Sequence, residues 1–379
     1  MYLRFMLQKF FSIVFVIIWM LIFPSSAIGV ERNPEDTISD NLFILGLRQH
    51  YGFVIIHSRE IRAIKDSYPT GTELSFNWQK MDKRSWDLCN CYPRVGLLFS
   101  FFDFDNRKIL GYGFNFAGFV EPFFRSHRDL SISFRSAAGL SYDTRPYDEK
   151  SNPENLSYSF LLNGYLQLNL SLLYRLNKNF AMNMCANYNH ISNGGFKEPN
   201  KGINFPTASL GLEYTFSPSP FEDRLKQKYQ GLKERRYDFA LSSFPKRIFA
   251  SPAYFAVVGI STGVSQQVGR MNALTLGTEW IWDGSLKWRM TNQLNSTKDY
   301  LRGALLLGHE FLMGRFSFSQ KIGVYIYDHT QFNDPVYQRY GINFHVTERL
   351  FTGIHLKAHR HVADLIELRL GWTFKRKRS

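Results

Sequence analysis

From Tyr158 to Tyr174 the chain alternates almost throughout. Phe160, Leu162, Gly164, Leu166, Leu168, Leu170 and Leu172 fill the even positions, and Ser157, Ser159, Asn163, Gln167, Asn169 and Ser171 stand among the odd ones. A period of two marks a strand whose faces meet different surroundings. At about 17 residues the stripe exceeds the usual strand of a soluble sandwich. Aromatic residues cap both of its ends, as they do where a strand crosses the two interfaces of a bilayer. This stretch therefore points to a transmembrane β-barrel rather than a sandwich.

Other segments repeat the pattern. Leu130, Ile132, Phe134, Ala138, Leu140 and Tyr142 oppose Ser131, Ser133, Arg135 and Ser141, while Ile366, Leu368, Leu370, Trp372 and Phe374 oppose Glu367, Arg369, Gly371 and Thr373. Aromatics make up 16% of the sequence, with 35 Phe and 20 Tyr. After the N-terminal segment no apolar run is long enough for a spanning helix.

That N-terminal segment reads as a secretory signal, 1–27: Arg4 and Lys9 precede an apolar run from Phe10 to Phe23, and Ser25 and Ala27 form a small-x-small cleavage site. A leader and the start of the barrel, 28–50, should follow. Strands are then expected at Tyr51–Ser58, Gly71–Gln79, Arg94–Phe104, Ile109–Phe124, in the alternating stretches beyond residue 129, and at Phe205–Phe216. A charged segment, 217–236, opens with Ser217 and Pro220 and reads as a periplasmic connection. Further strands across 237–374, among them one at Leu286–Leu294, and a basic tail, 375–379, complete the chain. Roughly 14 to 17 strands result, and closed bacterial barrels favour even numbers. One all-β, antiparallel outer-membrane barrel of about 14–16 strands is expected, with two eight-stranded units meeting near residue 220 as the alternative.

The net charge of +14 suits a phosphate-bearing lipid surface, and export argues against nucleic acid. Cys89, Cys91 and Cys185 do not make a disulfide framework, the first two standing awkwardly close for a bridge. No cofactor is implied, and metal-ligand spacings are missing. His355, Lys357, His359 and His361 alternate on an inward face and read as lumen-lining residues, with Asp364 and Glu367 paired to Lys or Arg inside.

Chemistry concentrates in one stretch. Phe180, Met182, Met184, Ala186 and Tyr188 form an apolar face that His190 and Ser192 continue, while Asn179, Asn183, Asn187 and Asn189 take the other face. With the N-terminus inside, this is the seventh strand and runs outward, which puts a base and a hydroxyl near the outer leaflet. A neutral imidazole two residues from a hydroxyl can take its proton.

His190-x-Ser192-Asn193-Gly194-Gly195, followed by Pro199-Asn200-x-Gly202, resembles the active-site signature of the PagL-type lipid A 3-O-deacylases. The likeness is close over residues 180–216. It extends more loosely from Tyr51-Gly52-Phe53 through Asn163 and Arg315 to Leu356-Lys357-Ala358-His359 and Asp364-x-x-Glu367, as in the longer acyloxyacyl hydrolases grouped with that family. The resemblance implies an outer-membrane esterase acting on lipid A in lipopolysaccharide, with Ser192 as nucleophile and His190 as base. It implies oxyanion donors at Asn193, the Gly195 amide and Asn200. The family's Glu, fourteen residues after the His, is Asn204 here, which can hold an imidazole N–H but cannot offset its charge; Glu198 and Glu213 are substitutes to weigh. The alternative is an inactive barrel serving as a pore or structural protein.

Overall fold

The computed structural model describes residues 41–124, 129–226, 229, 234–296, 299–360 and 362–376. The expected signal peptide, His361 and the end of the basic tail lie outside the described residues.

The chain is all-β and antiparallel, and it divides in the second of the two expected ways. The first barrel consists of β1 (Asn41–Gly52), β2 (Thr70–Lys80), β3 (Arg94–Asp103), β4 (Tyr112–Glu121), its two-residue continuation β5 (Phe123–Phe124), β6 (Leu130–Asp143), β7 (Leu162–Arg175), β8 (Phe180–Ser192) and β9 (Ile203–Phe216). Pro122 interrupts the fourth strand, so the walls number eight. The barrel closes where β9 pairs with β1, with Leu47 opposite Leu212. The second barrel holds β10 (Arg235–Lys246), β11 (Phe255–Gln267), β12 (Asn272–Asp283), β13 (Leu301–Met313), β14 (Phe316–Asp328), β15 (Val336–His345), β16 (Leu350–His359) and β17 (Val362–Arg376). It closes between β10 and β17, with Ala240 opposite Gly371.

Two features depart from the sequence reading. The first strand begins at Asn41, ten residues before the expected strand Tyr51–Ser58, most of which lies beyond its end. The expected strand Leu286–Leu294 is a helix, Gly284–Asn292, because the Asp283 carboxylate accepts from the amides of Ser285 and Leu286 at 2.9 and 3.2 Å and caps it. With that strand removed, eight remain on each side of the linker. Cys89 and Cys91 are also bonded to each other: Asn90 between them takes a left-handed φ of 51° that brings the Cα atoms to 5.1 Å.

Both barrels are turned inside out relative to a soluble fold. Leu168 and Leu170 are about half exposed on the outside, at 48% and 55%, whereas Gln167 and Asn169 between them are buried in the lumen. Among the described residues no helix is long and apolar enough to cross a membrane.

The lumens are filled. In the first, Arg135 donates to Glu73 at 2.9 Å and Glu121 at 3.0 Å and stacks on Phe119, and Arg94 donates to Glu213 at 2.8 Å. In the second, Arg339 pairs with Glu279 at 2.9 Å and Glu367 with Arg369 at 2.6 Å, while Lys357 lies 4.3 Å from the Tyr337 ring centroid. His355 bonds Asn343 at 2.8 Å. Of these, lumen positions for His355 and Lys357 and a basic partner for Glu367 were expected from the sequence, and Asp364, expected to pair likewise, accepts from Lys246 at 2.7 Å. An eight-stranded barrel has room inside for side chains and little else.

Candidate active site

The site is built at the end of β8 and roofed by the loop 193–202. β8 pairs with β9 so that His190 faces Asn204, and with β7 so that Ser192 faces Gly164. This register puts three side chains in line. Ser192 Oγ lies 2.9 Å from His190 Nε2, and His190 Nδ1 lies 2.6 Å from Asn204 Oδ1. The carbonyl oxygen of Asn204 can only accept, so it fixes the proton on Nδ1 and leaves Nε2 as an acceptor facing the Ser192 hydroxyl.

The line does not stop at Asn204. Its amide nitrogen donates to His57 Nδ1 at 3.2 Å, and His57 Nε2 donates to the Lys201 carbonyl at 3.0 Å. His57 reaches this place because the chain beyond β1 makes one more backbone bridge, in which the Ile55 amide donates to the Asn204 carbonyl at 2.8 Å. Sequence reasoning missed His57. The Tyr51-Gly52-Phe53 motif lies close by, but nothing in the spacing links it to residue 204.

The substitutes for the third member are engaged elsewhere. Glu213 belongs to the lumen, where Arg94 and Asn183 each donate to it at 2.8 Å. Glu198 points to the second barrel: it accepts from Arg289 at 2.8 and 3.0 Å and from the Phe249 amide at 2.7 Å.

The expected oxyanion donors divide. Asn193 turns its Nδ2 to Ser159 Oγ and the Lys197 carbonyl, at 3.1 and 2.7 Å, and its Oδ1 accepts from the Gly195 amide at 3.1 Å. Both Asn193 and the Gly195 amide thus hold the loop in shape and do not point at Ser192 as unused donors. Asn200 differs. Its oxygen accepts from the Asn193 amide at 2.9 Å, while its Nδ2 is buried with no hydrogen-bond partner among the described residues. A buried, unused donor costs free energy unless something completes it.

The loop is pinned from both sides. Gly202 donates to the Ser157 carbonyl at 2.7 Å and has a φ of 73°, and a Cβ there would come within 2.9 Å of His190 Cε1. On the far side, a Cβ on Gly195 would fall 2.6 Å from the Asp364 carbonyl, and Phe196 packs on Phe244 and Tyr254 of the second barrel. Ile191 of β8, next to the pair, joins a buried apolar cluster that includes Ile61, Phe102, Phe104, Tyr158 and Phe205.

The sequence profile described as lipid A 3-O-deacylase (PagL) matches residues 70–213, from β2 into β9, and the profile described as acyloxyacyl hydrolase, C-terminal domain, matches residues 235–376, the whole second barrel. No curated relative matches the chain. Among solved structures it is similar to neisserial surface protein A, at 11% identity over 46% of this chain and 97% of that one, with a TM-score of 0.33. It is also similar to a point-mutated Rh. blastica porin, at 10% identity over 87% of this chain and 100% of that one, with a TM-score of 0.19. The two profiles follow one another along one chain and leave out little beyond its N-terminal stretch and the linker. The chain belongs to the PagL-type family of lipid A 3-O-deacylases and acyloxyacyl hydrolases.

Proposed function

We propose that the chain is an outer-membrane serine esterase that removes an ester-linked acyl chain from lipid A or a related glycolipid. The observation that carries this reading is the unbroken hydrogen-bonded line Ser192–His190–Asn204–His57 at the end of a lipid-facing strand. In this reading His190 takes the Ser192 proton as Oγ attacks the ester carbonyl, and Asn200 Nδ2 donates to the developing oxyanion. The proton then passes from His190 to the departing sugar hydroxyl. Water, activated by the same imidazole, releases the fatty acid from Ser192. Asn204 orients the imidazole as Asn does in papain-like enzymes, without a carboxylate's charge.

The outward stripe of β8, with Met182, Met184 and Tyr188 exposed, leads up to the pair, so an acyl chain reaches Ser192 from the bilayer side. Mass spectrometry of lipid A from cells expressing the protein, beside cells expressing Ser192→Ala or His190→Ala, is the direct test. The wild-type protein is expected to remove an acyl chain, and each variant to lower the rate by about 10³-fold or more. Identical acylation in all three strains rejects the assignment.

A further inference from the structure

At the loop end, where the two barrels meet, one arrangement has no part in the hydrolytic step. Lys197, on the active-site loop, and Arg247, just past β10, are partners in a parallel backbone bridge. The Arg247 amide donates to the Phe196 carbonyl at 2.8 Å, and the Glu198 amide to the Arg247 carbonyl at 3.1 Å. Partners in such a bridge project from the same side. Two cations thus stand side by side, one from each barrel. Each rests near an aromatic ring: Lys197 Nζ lies 5.2 Å from the Phe160 centroid, and the Arg247 guanidinium 5.9 Å from that of Tyr254.

Their neighbours are neutralised and they are not. Lys201 pairs with Glu60 at 2.9 Å and Arg289 with Glu198 at 2.8 Å, but among the described residues neither Lys197 nor Arg247 makes an ion pair. Asp148 lies near enough to favour the Lys197 charge but makes no ion pair with it; one of its carboxylate oxygens accepts from the Ser151 and Lys150 amides and the Ser151 hydroxyl. Burial, with Arg247 alongside, holds the Lys197 ammonium below its ordinary pKa. Like charges held together and partly desolvated repel, and an anion placed between them removes that repulsion. A phosphate suits the pair, since Arg offers a planar fork and Lys a compact charge.

We propose that Lys197 and Arg247 together bind one phosphate of the glycolipid headgroup, so that the second barrel supplies half of a substrate subsite beside Ser192. This rests on reading the site as a lipid A deacylase. Lys197 shares its loop with Asn200, so a phosphate anchored there fixes the sugar relative to the ester.

The test uses the full chain carrying Ser192→Ala in detergent micelles, with correct folding checked by heat-modifiable gel mobility. Its affinities for bisphosphorylated lipid A and for the same glycolipid stripped of phosphate are measured by microscale thermophoresis. The phosphorylated form is expected to bind at least about tenfold more tightly, and Lys197→Ala with Arg247→Ala to abolish that preference while leaving the stripped lipid's affinity unchanged. Equal affinity for the two lipids overturns the proposal, as does an equal loss for both in the double variant. Competition by millimolar inorganic phosphate, with no preference between the lipids, overturns it in favour of a free-ion site. Hydrolysis of an uncharged p-nitrophenyl ester by the wild-type chain is scored separately. Its absence alongside an intact lipid preference counts against the esterase and leaves the subsite standing.

Discussion

Asn204 occupies the position at which a carboxylate was expected, and its two amide atoms do different work. The oxygen meets His190 at 2.6 Å and the nitrogen meets His57 at 3.2 Å, so His57 decides which way the amide faces. Without that acceptor the amide can turn over and present N–H groups to His190 Nδ1, the wrong partner for a base. His57→Ala is therefore expected to lower kcat on a p-nitrophenyl ester by roughly tenfold with KM unchanged, as befits the loss of one buried hydrogen bond that positions the base. A change in KM alone would contradict this role. Gly202 offers an independent check. Gly202→Ala adds a methyl at a φ of 73° and 2.9 Å from His190 Cε1, and is expected to reduce kcat by about tenfold or more while the barrel keeps its heat-modifiable mobility. At this scale the motif was readable where its members are contiguous in sequence: His190, Ser192, Asn200 and Asn204 all lie on one strand–loop–strand unit. His57 was not readable, because 147 positions separate it from Asn204 and one isolated bridge joins them.

The elements show the same division between local and distant signals. The long alternating strands β6 to β9 were visible because their faces differ sharply. β1 was hidden at its start because both faces are apolar there: Leu42 and Ile44 are buried inside while Leu45 and Leu47 point outward, which erases the alternation. The helix Gly284–Asn292 was misread for the converse reason. Leu286, Trp288 and Met290 alternate with Lys287, Arg289 and Thr291 like a strand, but Leu286 and Met290 are also one helical turn apart and both are buried, and the Asp283 cap favours the turn. That helix matters to the site because it carries Arg289. Glu198, passed over as a catalytic acid, ties the active-site loop to it through two hydrogen bonds of 2.8 and 3.0 Å. Arg289→Glu is expected to lower kcat several-fold, and pairing it with Glu198→Arg to restore most of the loss in a charge-swap rescue. Equal defects in the single and double variants would show that the contact does not steady the loop.

For the whole molecule, the decisive question was how the strands close, and strand counting does not answer it. Sixteen strands make one wide barrel or two narrow ones, and the difference lies in pairings such as Leu47 with Leu212 and Ala240 with Gly371, which are not written in any single strand. The outcome bears on the pore alternative. Narrow lumens packed with Arg135, Glu73, Glu121 and their counterparts leave no continuous water path, so the purified chain in planar bilayers is expected to give no steady conductance. Regular single-channel steps would reject this. The packing also predicts where the first barrel is most fragile. Arg135→Ala removes the close ion-pair partner of two buried carboxylates, Glu73 and Glu121, and is expected to destabilise it by about 3–5 kcal/mol in urea unfolding from detergent.

Each barrel uses only consecutive strands, and among the described residues no strand-to-strand ladder crosses the linker between β9 and β10. Neither half then needs a strand from the other to insert, and biogenesis can proceed in two separate acts. The loop over Ser192 leans on Ile366, Asp364 and Arg289, all from the second barrel. The candidate site is accordingly expected to stay incompletely formed until the second barrel has folded beside it.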